Sequence, residues 1–359
     1  MTTNTRLLRR GIAAVALSLI ATMLAACGGG SDSGDEDKGE IVIASWGGDF
    51  TKSTKENLAD PFTADTGIKV KFVTHGNGPV PMALLQAENK KVSIDVIDGA
   101  NLAPLLTADA LAPVPDDLAK VVEETSIDGA LIADSIIQYA NSPTLIACNA
   151  DKVETCPTNA QEFWDVKGFP GRRGIVATTW ASFFLGLQAS GVPAADLEHM
   201  NVKDPIDRAI SKLEEIKPEI KAWPDTRDRQ IQAIVNGQVD VAYIWASAAT
   251  AAKERIPNLQ LFWPSAVYQS TTGLGVMKDA PNQAAAFQFI EWVLKHPEAQ
   301  AKVAESQGLL VPTRDLEKYL SPEAAENLLT SHEGVVAADG LWIGDNLKDL
   351  EEAWNAFIK

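Results

Sequence analysis

Histidine, cysteine and tyrosine are all scarce in this chain of 359 residues, at four, three and four. His75, His199, His296 and His332 stand far apart, and no two could share one helix face, which argues against a His-built metal centre. No Gly-x-Ser-x-Gly elbow, phosphate-binding glycine loop or dinucleotide fingerprint occurs, so no catalytic residue is marked and no cofactor is expected. A hydrolase assembled from scattered Ser, Asp and His is the remaining enzymatic reading, and it lacks the strand–Ser–helix elbow. Tyr139, Tyr243, Tyr268 and Tyr319 include no adjacent pair, which weighs against ferric ion, a hard cation that takes phenolate oxygen. Basic residues are outnumbered 31 to 48, for a net charge of −17. Such a balance argues against nucleic acid, whose phosphates need Lys and Arg. It suits a cationic ligand, although solubility alone accounts for it equally.

The longest apolar run lies at the start. Arg6, Arg9 and Arg10 precede an almost wholly apolar stretch, Gly11 to Leu24, and small residues follow. A charged start, a short apolar centre and a small-residue end form a secretory signal; a membrane span needs about 20 apolar residues. Leu24-Ala25-Ala26-Cys27 resembles the lipobox of bacterial lipoproteins. That resemblance implies a signal peptide over 1–26 and a lipid-bearing Cys27, with an ordinary secreted protein as the alternative. Acyl chains anchor at about 0.8 kcal/mol per buried methylene, so two or more hold firmly. Residues 27–39, rich in Gly, Ser and acid, read as a flexible tether. The rest of the chain would then work outside the cytoplasmic membrane, attached to it. If Cys27 is acylated, Cys148 and Cys156 remain as an even pair. In an oxidising compartment they read as a disulfide, with two reduced thiols as the alternative.

Apolar runs and helical periodicities alternate from Ile41 onward. Strands are expected at 41–44, 68–72 and 94–97, with helices between them, the first kinked or ended at Pro61. A second set follows, with strands at 144–148, 174–177, 221–223, 239–245, 259–263 and 272–277, and helices over 180–190, 206–216, 228–236, 246–255, 284–295 and 297–307. Strand–helix alternation predicts an α/β fold with parallel sheets, whose ligands bind beyond the carboxyl ends of strands.

Several segments in order are similar to the polyamine-type branch of the bacterial extracellular solute-binding proteins, the receptors of ATP-driven (ABC) importers. They are Ile41–Trp46, FTADTGIKVKF (62–72), IDVID (94–98), PTLIACNADKV (143–153), EFWDVKGFPGRRGI (162–175), VNGQVDVAYIW (235–245) and FIEWVLKHPEAQAKVAESQGLLVPT (289–313). The resemblance implies a periplasmic-binding-protein-like (type II) fold, two lobes with a ligand cleft between them. Lobe one would comprise 40–138 plus 268–308, and lobe two 139–267 plus 309–359. It further implies a monomeric receptor that passes a small organic cation to a membrane permease; the same fold also serves in sensing.

In the polyamine receptors aromatic rings sandwich the ligand's methylenes and carboxylates pair with its ammonium groups. By position, Trp46, Trp245 and Tyr268 match the aromatic part. Ser270 stands where that branch has its key Asp, and Thr178–Ala181 hold no acid where it has a pair. Asp49 replaces a family aromatic, and Asp98 and Asp225 sit at strand ends that face the cleft in the family. With Trp180 these residues form the candidate ligand set, one suited to a small amine, an amino-acid derivative or a quaternary cation. A loop Asp is also a common helix cap, and Trp164, Trp292 and Trp354 are expected to pack structurally.

Overall fold

The computed structural model describes residues 39–359 except 76–77, 101, 268, 329–335, 338–341 and 343–345. The expected signal peptide, Cys27, Tyr268 and all of the expected tether but Gly39 lie outside the described residues.

Residues Ile41 and Ile43 are buried on one face of β1 (Glu40–Ser45) and Ala44 on the other, as befits a strand covered on both sides. After a glycine turn come α1 (Gly48–Thr54), a π turn over Lys55–Ala59 and α2 (Asp60–Thr66), whose boundary residues keep helical dihedrals. Of the two outcomes expected at Pro61, the helix does not end there but is interrupted in this form. Proline has no N–H to donate and crowds the carbonyl four residues back, and a π turn gives that carbonyl room. There follow β2 (Lys69–Thr74), α3 (Pro79–Glu88), β3 (Val96–Ala100), α4 (Ala103–Thr107), α5 (Asp116–Thr125) and β4 (Leu131–Ile132). The 14-residue β5 (Ile136–Asn149) leads to α6 (Ala160–Trp164), β6 (Arg173–Ile175), α7 (Thr179–Ala189), α8 (Ala194–Glu198), α9 (Pro205–Ile216), β7 (Ile220–Ala222) and α10 (Arg227–Val235). Then come β8 (Val241–Trp245), α11 (Ala246–Lys253), β9 (Leu259–Phe262), β10 (Ala266–Val267), β11 (Gln269–Val276), α12 (Gln283–Lys295), α13 (Pro297–Gln307), α14 (Pro322–Leu328), β12 (Val336–Ala337) and a last helix, Leu347–Phe357.

The main sheet runs in the order β2-β1-β3-β11-β5-β8-β6-β7, with β4 and β9 also on β5, and β10 pairs separately with β12. β1, β2 and β3 are mutually parallel, as are β8, β6 and β7; β11 is antiparallel to β3 and β5, and β5 is antiparallel to β8. Two parallel α/β halves are thus joined through β5 and β11. The architecture is the α/β, two-lobed type II arrangement anticipated from sequence.

Each half is filled from both faces. In the first, Ile41, Ile43, Phe62, Val96, Phe289 and Val293 pack on one side, and Ala44, Ala83, Ile97 and Leu105 on the other. In the second, Ile146, Ile175, Val241, Tyr243 and Phe357 face one way, while Leu145, Ala147, Ala242 and Ile244 face the other. Leu309, Val311, Leu316 and Leu328 sit in the first half's core, and Thr313 bridges Ser126 next to α5. The stretch 309–328 therefore packs on the first half, where sequence had assigned everything from 309 onward to the second.

Two buried features brace the second half. A disulfide joins Cys148 of β5 to Cys156, with Cα atoms 5.9 Å apart. The fully buried Arg173 donates to the carbonyls of Phe163 (3.1 Å), Gly171 (3.1 Å) and Phe169, tying the loop before β6 to the sheet; burial lowers its pKa to about 10. Its neighbour Arg172 donates to the Asp240 carboxylate at 2.9 and 2.7 Å, which holds that carboxyl below its usual range. Trp164, Trp292 and Trp354 pack structurally: Trp164 Nε1 donates to Lys212 O, Trp292 Nε1 to Asp65, and Trp354 packs edge-on to Trp223.

Candidate functional site

The parallel strands of each half bring their carboxyl ends to one rim, where α/β sheets bind ligands. On the first half the rim is the turn from β1 to α1. Gly47 (φ 84°) and Gly48 (φ 58°) take left-handed conformations there, which a side chain would strain. A chain of hydrogen bonds fixes the turn. Gly47 N donates to Thr51 Oγ1 (2.8 Å), Thr51 Oγ1 donates to Ser45 Oγ (3.0 Å), and Ser45 Oγ donates to Asp98 Oδ2 (3.0 Å). Above this anchor Trp46 is 48% exposed, an unusual position for an indole. Its six-membered ring lies close to Gly78, where a Cβ would come within 3.0 Å of Cζ3. Asp49, in the first turn of α1, is exposed.

Asp98 does not reach this rim. Along β3 it shares a face with Val96, so the pleat turns it inward, where it is 1% exposed. Its Oδ1 has no hydrogen-bond partner among the described residues, nor has the buried Tyr139 hydroxyl. Burial drives the Asp98 carboxyl up to about 7, against the pull of the Ser45 bond. Burial, reinforced by Asp98 and opposed by Thr54, drives the Tyr139 phenol well above its ordinary value. Asp98 anchors the turn that carries Trp46; it presents no oxygen to solvent.

On the second half, three parallel strands deliver three segments. β8 ends at Trp245, half-buried against the cores on both faces of the sheet. β6 runs through Thr178 into α7, where Trp180 is half-buried against the cluster of Phe183 and Phe184. β7 leads through Pro224 and Asp225 into α10, and Ala177 N donates to Pro224 O (2.9 Å), which sets these two segments side by side. Asp225 is exposed, but both its oxygens take Arg229 Nη1, at 2.9 and 3.1 Å. The Trp245 amide donates to Gln230 Oε1 (3.0 Å), joining α10 to the end of β8. Backbone pairing sets Ser270 opposite Ser142 where β11 meets β5; of its side chain nothing is described.

A polar contact links the two rims. Arg227, the first residue of α10, reaches Asp49 of α1 at 3.4 Å, while Gln307 at the end of α13 approaches the Asp49 carbonyl. A polar cavity of about 430 Å³ adjoins this pair, between α1, α10, α11 and α13. Three polar atoms of the second rim are buried with no hydrogen-bond partner among the described residues: Thr178 Oγ1, Arg227 Nε and Gln230 Nε2. Sequence reading had not singled out Arg227 or Gln230. The available signal was their place in the turn of α10 that follows Trp223-Pro224-Asp225, at the carboxyl end of a parallel strand.

Trp46 and Asp49 thus share the first rim, and Trp180, Asp225 and Trp245 the second, with Asp98 beneath the first. The family profile described as bacterial extracellular solute-binding protein matches residues 57–328. The chain is 25% identical over 323 residues to the gamma-aminobutyric acid-binding protein of Pseudomonas aeruginosa, covering 88% of this chain and 90% of that one. It is 23% identical over 333 residues to the spermidine/putrescine-binding periplasmic protein of Escherichia coli, covering 86% and 88%. In structure it resembles an ABC transporter substrate-binding protein from Bradyrhizobium japonicum USDA 110, with a TM-score of 0.80 at 21% identity, covering 90% and 100%, a likeness of fold.

Proposed function

The chain belongs to the bacterial extracellular solute-binding proteins, and on that premise we propose that it is the receptor of an ATP-driven importer for a small amine-bearing solute, captured between the two rims and handed to a membrane permease. Lobe one in this reading is 40–138 with 268–328, and lobe two is 139–267 with the last helix. The observation that carries the proposal is the meeting of two strand-end rims across Asp49 and Arg227, with Trp46 on one and Trp245 on the other. Indole faces attract organic cations, and a carboxylate beside them adds charge pairing. Relatives that bind gamma-aminobutyric acid and polyamines support an amine as the recognised group. The receptor would work as a monomer outside the cytoplasmic membrane, held there by a lipid on Cys27. No catalytic step is proposed.

A thermal-shift screen of amines, amino-acid derivatives and quaternary cations tests the reading, followed by titration of the hit against Trp245→Ala. Loss of one cage wall should cost about 1–2 kcal/mol of binding, measured where circular dichroism shows the variant folded, since Trp245 also packs on both cores and its loss lowers the melt. Stabilisation by simple anions alone, with every amine silent, would refute it.

A further inference from the structure

A polar cluster is buried in the core of the first half, beneath Trp46. Asp98 stands opposite Leu274 of β11, and Leu274 stands opposite Ile137 of β5. A register shift at Thr272/Gly273 bulges β5, so that Tyr139 as well as Ala140 joins the core that holds Ile137 and Leu274. The phenol thereby lies near enough to feel the Asp98 charge. Ile43, Val96 and Leu274 make the rest of this side apolar. A carboxylate has room for about four hydrogen bonds. Asp98 receives one from Ser45, at 3.0 Å, and its Oδ1 receives none among the described residues. Such surroundings suit a neutral carboxyl and penalise an ionised one.

The same Ser45 hydroxyl carries the constraint outward. Asp98, Ser45, Thr51 and the Gly47 amide form one continuous chain of hydrogen bonds, and Trp46 lies between two of its members. Ionisation favours any arrangement that lets water reach the carboxylate. The segment bonded to Asp98 is this turn, already exposed at Trp46 and Gly48. No other ionisable side chain is buried beside Asp98 on the elements packed around it, Tyr139 excepted. β11 has none, β1 has Glu40 and α3 has Glu88 at their far ends, and α1 has Asp49 and Lys52, all four exposed.

We propose that Asp98 is a positioning residue that ties ligand capture to pH: its neutral form holds the turn that presents Trp46, and its ionisation loosens that turn and weakens binding. The binding half of this inference rests on the receptor reading above; the turn half does not. The midpoint falls near 7. Because the holding state keeps the proton, affinity is full below that pH and declines above it.

Two measurements at pH 5.5 and 8 test this. The first needs no ligand: hydrogen exchange by mass spectrometry over the peptide spanning β1 and α1, corrected for the intrinsic pH dependence of exchange. The parent should exchange there at least fivefold faster at pH 8, and Asp98→Asn, which keeps an acceptor for Ser45, should show no difference. Thr51→Val, which cuts the chain beyond Ser45, should exchange fast at both. The second is calorimetric titration with putrescine and gamma-aminobutyric acid, whose charged groups titrate well outside this range. The probe that binds should bind the parent at least fivefold more weakly at pH 8, and Asp98→Asn equally at both. Equal protection in the parent at the two pH values overturns the proposal. So does a difference that survives in Asp98→Asn, the sign that a histidine such as His75, on the turn after β2, sets the pH dependence. With the exchange difference present in the parent and gone in Asp98→Asn, silence of every amine in the screen refutes the receptor reading and leaves the proton-sensitive turn standing.

Discussion

Replacing Asp98 by Asn tests whether the carboxyl beneath Trp46 is held against its own ionisation. Asp98 is 1% exposed and accepts a hydrogen bond from Ser45, while its other oxygen accepts none among the described residues. Burial raises its pKa from 3.8 to about 7. Because the folded pKa lies above the unfolded one, the native state holds the proton more tightly. Between those two pH values the native state carries more protons than the unfolded chain, so this group makes stability fall as pH rises through the window and level off above about 7. The interval is roughly three pH units, and at about 1.36 kcal/mol each the whole effect is about 4 kcal/mol. Between about pH 5.5 and 8, roughly half the window, about 2 kcal/mol should be lost. Asn keeps an acceptor for Ser45 and has no charge to bury. Urea denaturation of both proteins at these two pH values should show the variant gaining about 2 kcal/mol on the parent at the higher pH. Parallel pH profiles would mean that the Asp98 carboxyl ionises freely and that its burial costs nothing.

Other changes probe the scaffold around the rims. Ser at both Cys148 and Cys156 opens a bridge spanning 8 residues in sequence, and should destabilise by about 2.5 kcal/mol on the chain-entropy model, seen as a lower urea midpoint; reductant on the parent protein should reproduce the shift, and an unchanged midpoint would count against a structural bond. Gly308 follows α13 at φ 61°, where a Cβ would lie 2.9 Å from Thr250 Oγ1 and 3.1 Å from Ser247 Cα. Gly308→Ala should therefore cost about 2 kcal/mol or more through left-handed strain and crowding together, lowering the melting temperature; a melt equal to the parent's would show that α11 and α13 have slack between them.

The parts legible in sequence were those where burial leaves a continuous apolar run. β1 and β8 announce themselves through Ile41–Ala44 and Val241–Trp245; β8 ends in Trp245, and Trp46 directly follows β1. The first eight residues of β5 were not legible, because Gln138, Asn141, Ser142 and Pro143 interrupt the apolar pattern there. These positions lie where β5 is paired by β11 and bridged by Leu310, so backbone partners remote in sequence make the strand. α5 was overlooked although Leu118 and Val122 are spaced for a buried face behind the acidic start Asp116-Asp117. Asp98 was read as facing ligand from its place at a strand end. The alternation Val96, Asp98 carried the contrary signal, since the two must share a face. Arg227 was passed over because a charged helix start usually signifies a solvated cap, and only the tertiary pairing with Asp49 distinguishes it.

The long strand β5 supplies Ile136, Ile137, Tyr139 and Ala140 to cores at its start and Leu145, Ile146, Ala147 and Cys148 to cores at its end. Neither half can melt without fraying an element that the other needs. Denaturation is thereby made a shared event, and damage on one side is felt on the far side without any ligand to transmit it. The same continuity confines any opening and shutting to a bend within a ladder already paired on both flanks, so the two halves cannot drift apart like beads on a thread.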